Sequence, residues 1–395
     1  MYRALYAYAW DLLDEGLDAA LPAIRGTAVN TITLATSYHA GKFLRPHGRS
    51  GKVHFPKDGT VYFRPEMGRY GRIRPLVNPL VDEFDALAEL ARVAPDLDRV
   101  AWTVCLHNTA LGEAHPDVVT RNAFGDPYWY SLSPAHPDAR AYVVALCGDL
   151  GARYEISGLV LETPGWLPYD HGFHHEFAMV PLDRFHKTLL ALDFSDAAVA
   201  AARGAGIDAA GLRRRVRDRL ERFLGSDVAL PEARADEWLL ADLLGDPELA
   251  AFLRWRCEVV AGLIREVRAA LPPHVRLAVI PTVNRPTAAC WLEGSDLAML
   301  AQAADALEVP TYEADAGGVL LDALDVRRRA GEGADLRFIL RPSFPDLGNG
   351  TGLEAAVRHL KAVGPSGLAF YNYGHLRRAS LDRIAGALAL LEDPS

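Results

Sequence analysis

The chain has 395 residues, half of them hydrophobic, enough for one large barrel-sized core or two ordinary ones. A net charge of −9 and a pI near 5.8 argue against a polyanion such as nucleic acid as the main partner, because neutralising phosphates takes a basic face. The four cysteines (Cys105, Cys147, Cys257, Cys290) are scattered without CxxC spacing and read as buried free thiols, and no segment has the layout of a leader or the length of a membrane span. A soluble cytoplasmic protein is expected, its oligomeric state left open.

Short apolar runs ending in polar residues recur, most followed by a helical pattern, the alternation that builds a parallel sheet. The first run, 3–10, ends at Asp11 and precedes an amphipathic stretch over 12–24; the second, 28–36, ends at Ser37, Tyr38 and His39. An excursion follows, in which Asp58-Gly59 sits centrally between the alternating residues of 52–63, a hairpin signal, and a helix over 79–93 returns the chain. The third run, 99–106, ends at His107 and Asn108. A turn at Gly125-Asp126-Pro127 and a helix over 137–150 lead to the fourth, Ile156-Ser-Gly-Leu-Val-Leu-Glu162, which Pro164 and Gly165 stop. Residues 166–246 are too long for an ordinary loop; with helical stretches at 196–203 and 210–224, they are expected to form a cap or lid. Four further runs, at 276–281, 306–311, 336–341 and 367–371, alternate with helices at 247–271, 295–304, 317–330, 352–363 and 381–391. Eight such units predict an α/β fold, a single-domain (β/α)8 TIM barrel with a β-hairpin excursion after strand two and a helical insertion after strand four.

In such a barrel the strand ends meet at one mouth. Carboxylates, amides, imidazoles and flat rings gathered there suit a sugar, whose hydroxyls both donate and accept and whose C–H faces stack on aromatics. Glycoside cleavage uses two carboxyl groups, so Glu162 is taken as one catalytic group, with Glu313 ranked first as partner and Asp346 next, ahead of Asp315. Asp11, Tyr38, His39, His107, Asn108 and Trp166 are expected to contact substrate from the first half of the chain. Tyr312, Arg341, Asn372 and His375 are expected to do so from the second. The loop His171-Gly-Phe-His174-His175-Glu176 is rich in metal-ligand types but matches no zinc signature. It reads as pocket rim, with His174 or His175 touching substrate, and neither metal nor cofactor is expected.

Within 99–166, several stretches together resemble the bacterial family-10-like glycoside hydrolases: His107-Asn108, His115-Pro116, Asn122-Ala-Phe-Gly125-Asp126, Ser133-Pro-Ala-His-Pro137 and Arg153-Tyr-Glu-Ile-Ser-Gly158 before the acidic strand end. The resemblance implies a TIM barrel and glycosidase activity, with an acidic residue closing the fourth strand. This chain carries Glu162 where that pattern usually has Asp, and lacks the Trp of the His115-Pro116 turn. Two other readings follow from the same mouth residues: a metal-dependent sugar isomerase, epimerase or hydrolase, and a carbohydrate-binding pseudoenzyme.

Overall fold

A computed structural model describes residues 1–173 and 176–392. Eight strands form its centre: β1 (Tyr2–Ala7), β2 (Thr31–Tyr38), β3 (Asp98–Val104), β4 (Gly158–Glu162), β5 (Arg276–Val279), β6 (Ala306–Pro310), β7 (Leu336–Leu340) and β8 (Gly367–Phe370). Each pairs in parallel with the next, and β1 pairs with both β2 and β8. The sheet therefore closes on itself as a (β/α)8 barrel. Helices between the strands cover its outside, and local chemistry starts several of them. Pro137 and Pro247 stand in the first turn of Pro137–Arg153 and Pro247–Ala270, where a missing N–H costs nothing. Asp246 and Asp315 accept from the free N–H groups of Leu249 and Gly318, capping Pro247–Ala270 and Ala316–Ala330.

Alternate residues of each strand enter the barrel. At the base of its interior, fully buried Glu308 accepts hydrogen bonds from Tyr2 (3.1 Å) and Tyr6 (2.8 Å), with Arg337 at 3.6 Å. One layer up, Tyr6 meets Trp102 edge-on at 5.1 Å, and Trp102 meets Tyr371 at 5.9 Å. Rings and paired charges fill the barrel, so the strand ends are the place left for a ligand.

The excursion after β2 departs from the sequence reading. Asp58-Gly59 does not turn a hairpin: Thr60–Val61 pairs antiparallel with the end of β2 and parallel with Leu76–Val77. The antiparallel pair is instead Phe43–Leu44 with Val53–His54. The cause is tertiary. Asp58 accepts from the N–H groups of Ala40 and Ala110, both at 2.8 Å, which ties the turn to the barrel. Arg45, between the paired segments, is buried against Asp11 (2.8 Å) and Asp14.

Two expected helices are each broken in two. The stretch 12–24 divides at Gly16 (φ +76°) into Ala9–Glu15 and Leu17–Gly26, and 79–93 divides into Leu80–Glu83 and Ala86–Val93. After β4 the chain carries Arg184–Leu190, Asp196–Gly204, Ala209–Leu224 and Glu232–Gly245. The first and the last were not expected; in the last the apolar residues do not share one face, Leu239 being buried while Leu240 and Leu244 are 58% and 79% exposed. All four cysteines are buried and free. Among the described residues no helix is long and apolar enough to cross a membrane.

Candidate active site

Glu162 ends β4 inside the mouth. The indole N–H of Trp102, an inward residue of β3, donates to its Oε2 at 2.5 Å. Burial pushes the Glu162 carboxyl up to about 7, and the Trp102 hydrogen bond opposes part of that rise. A second carboxyl shares the same small cavity. Glu293 closes the 3-10 turn Thr287–Glu293 after β5, and its Oε1 accepts from the Thr282 hydroxyl and from Asn284 Nδ2 at 2.6 Å. Burial raises it too to about 7; the two donors lower it, and the neighbouring Glu162 charge raises it. The cavity between them, also lined by Thr163, His171 and Thr282, measures about 10 Å3, room for about one water.

The two carboxyls are held together by backbone. Trp166 N–H donates to the Glu293 carbonyl at 3.0 Å, and Gly165 lies so close that a Cβ there would stand 2.0 Å from that same oxygen. On the other side Gly294 (φ +77°) packs on the Trp166 ring. Buried Arg256 donates to the Leu292 carbonyl at 3.0 Å and lies 4.6 Å over Trp166, bracing the turn from beneath. Thr163, just after Glu162, takes φ +52°, a costly conformation for a β-branched residue.

Aromatic residues wall the rest of the mouth. The Tyr8 hydroxyl donates to Tyr38 at 2.9 Å and shares a hydrogen bond with Tyr371 at 2.7 Å. The Glu162 charge reaches Tyr38, Tyr312 and Tyr371, which places these three rings around it. Tyr8 also stacks on Trp10 at 4.2 Å. Arg341 lies 3.6 Å over the Tyr312 ring and 5.6 Å from that of Tyr371. On the opposite side Tyr38, His39 and His107 form a stack, with ring separations of 4.4 and 4.1 Å, and His107 meets the cavity-lining His171 edge-on at 5.5 Å. Burial holds His171 below its ordinary pKa, so it is neutral at neutral pH.

The sequence-expected residues therefore divide. Glu162, Tyr38, His39, His107, Tyr312, Arg341 and His375 stand at the mouth, the last with its ring 5.5 Å from Tyr8. Glu313 faces Arg285 (3.6 Å) outside the cavity that holds Glu162, and Asp346 faces Arg341 (3.5 Å). Asp11 is buried against Arg45, and burial raises its carboxyl to about 7 despite that partner. Asn108 caps Thr109–Ala114 through Leu111 N–H and donates to the Gly59 carbonyl. Trp166 is 1% exposed and its indole N–H is spent on Asp193 (2.9 Å), which leaves it no surface for a ligand. Asn372 is fully buried, its Oδ1 accepting from Gly374 N–H. His174 and His175 lie outside the described residues. Among the described residues no three His, Cys, Asp or Glu side chains converge as metal ligands. Glu293 and Trp102 were not anticipated. The first lies in an aperiodic segment, and the second reads as one apolar residue in a buried strand.

No family model matches the chain, and no curated protein matches it in sequence. Solved structures do match its fold. Alpha-L-fucosidase isoenzyme 2 from Paenibacillus thiaminolyticus superposes with a TM-score of 0.56 at 12% identity, over 99% of this chain and 49% of the fucosidase; this chain thus spans about half of that protein. The PgaB (BpsB) glycoside hydrolase domain from Bordetella bronchiseptica gives 0.58 at 16% identity, over 98% of this chain and 99% of that one. The chain shares with both neighbours the (β/α)8 barrel fold.

Proposed function

We propose that the protein is a glycoside hydrolase that cleaves an oligosaccharide or small glycoside with Glu162 and Glu293 as its two carboxyl groups. The observation that carries this reading is the small cavity they share at the strand ends, with both groups raised to about 7. Two like charges in one buried site cannot both form cheaply, so near neutral pH the pair holds one proton, the state that two-carboxyl glycoside cleavage requires. Glu293, with two donors on one oxygen, is the better carboxylate and serves as base or nucleophile. Glu162, with a single indole donor and more exposure toward the aromatic mouth, keeps the proton and gives it to the leaving oxygen. Glu313, the partner expected from the sequence, has an arginine for its neighbour instead. The likeness over 99–166 to family-10-like hydrolases and the fold likeness to a fucosidase and a glycoside hydrolase domain support the same class of chemistry.

The pH–rate profile tests the assignment. A pair that shares one proton gives a bell centred near neutrality whose two limbs belong to the pair. Glu162→Gln and Glu293→Gln should each abolish the bell along with most of the rate. A rate that stays level between pH 5 and pH 9, or activity that is lost on chelation together with a stoichiometric metal, contradicts it.

A further inference from the structure

Beside the carboxyl cavity runs a second, larger hollow. It is a cleft of about 500 Å3, within the range of clefts that hold organic ligands. Its floor is the strand Pro127–Leu132, where Tyr128 and Tyr130, alternate residues on one face, stack on one another (12°, centroids 5.7 Å apart) with Tyr130 buried, and Trp129 is the strand's exposed ring, at 37%. Tyr169 meets Tyr128 edge-on at 6.4 Å, and Phe173, 52% exposed, stands 6.3 Å from Tyr130. A row of packed rings forms the wall between the cleft and the catalytic cavity: Tyr130 lies 6.3 Å from His107, and His107 lies 5.5 Å from His171, which lines the space beside Glu162.

Its charges narrow the ligand. Asp170 pairs with Lys187 at 2.9 Å, and Glu176, which also lines the cleft, gives its described lining residues an excess of negative charge. A chain of uronates or sulfated sugars would meet a like charge there. Flat rings arranged along a strand suit successive sugar rings, whose C–H faces are apolar while their edges carry hydroxyls for Asp170, Glu176 and Lys187.

We propose that this cleft is a chain-binding site for an uncharged glycan, so that the enzyme works on a saccharide of several units laid across the exposed rings of Trp129 and Phe173 rather than on a monosaccharide glycoside alone. The proposal rests on the glycosidase reading and deepens it by naming the substrate class.

The test is binding, in the Glu162→Gln background, by calorimetry with neutral hexasaccharides (cello-, xylo-, manno- and chitohexaose), the matching disaccharides, and hexagalacturonate. At least one neutral hexasaccharide should bind about tenfold or more tighter than its disaccharide, and hexagalacturonate should not bind. Adding Phe173→Ala or Trp129→Ala, both at exposed positions, should remove most of that advantage while leaving the disaccharide within about twofold. Equal affinity for long and short neutral ligands, equal loss for both in the variants, or preference for hexagalacturonate overturns the proposal. So does a dimer by light scattering that Phe173→Ala dissociates, since the cleft would then be covered by a second copy. Length-dependent binding without reducing-end release from any ligand by the unmodified enzyme leaves the cleft assignment standing and removes the glycosidase reading.

Discussion

Glu293→Gln changes one oxygen to an amide nitrogen in a site that is 7% exposed, and its effect on stability has a sign opposite to that of most carboxyl removals. A carboxyl moved from 4.5 to about 7 on folding disfavours the folded, ionised form by roughly 3 kcal/mol at most. Between those two pH values the folded chain keeps a proton that the unfolded chain has released. Stability therefore falls as pH rises through this window and levels off above about 7. Gln keeps an oxygen for Thr282 and Asn284 and never ionises. The variant should match the unmodified enzyme near pH 4.5 and exceed it by about 1–3 kcal/mol at pH 8, while its turnover drops by orders of magnitude. Denaturant titrations at several pH values measure this directly. A variant less stable at pH 8, or one with an unchanged pH slope across the window, would refute the reasoning. Asp246→Asn is the control of opposite sign, because Arg215 holds that carboxyl below its ordinary value and the stability it contributes is lost only as pH falls.

Gly165→Ala should lower kcat by about a hundredfold and stability by about 1–3 kcal/mol, since its Cβ would stand 2.0 Å from the Glu293 carbonyl and displace the turn; an unaltered kcat would show that the turn has slack. Thr163→Gly should raise stability by about 1 kcal/mol by relieving φ +52°, as the buried Thr163 hydroxyl has no hydrogen-bond partner to lose; thermal melts that fall instead contradict this. Trp102→Phe removes the donor that favours ionised Glu162, so the basic limb of kcat/KM should move to higher pH; a limb that stays in place would mean that Glu162 does not govern it.

The barrel was legible in the sequence because each strand is a short apolar run that stops at a polar residue, and the runs at 306–311 and 336–341 differ from β6 and β7 by a single residue. The excursion was misread because Asp58 and Arg45 are committed to partners distant in sequence, Ala110 and Asp11, which no local pattern records. Glu162 stood out as a carboxylate closing a buried run that Pro164 and Gly165 stop. Glu293 did not, since its burial and its neighbours come from a 3-10 turn packed on Gly165 and Trp166. Glu313 was expected as the partner because it ends the sixth strand, and position does not reveal that Arg285 faces that carboxyl. Trp166 shows the reverse error: an aromatic next to the acidic strand end that turns inward to Asp193.

The central claim is that Glu162 and Glu293 act together on a glycosidic bond. Reducing-end release from a broad panel of aryl glycosides and neutral oligosaccharides, measured for the unmodified enzyme and for the folded Glu162→Gln and Glu293→Gln variants, tests it most directly. The account predicts hydrolysis of at least one panel member and a loss of about a thousandfold or more in each variant. Undiminished turnover in either variant, or in Glu293→Gln alongside a dead Glu313→Gln, would contradict it.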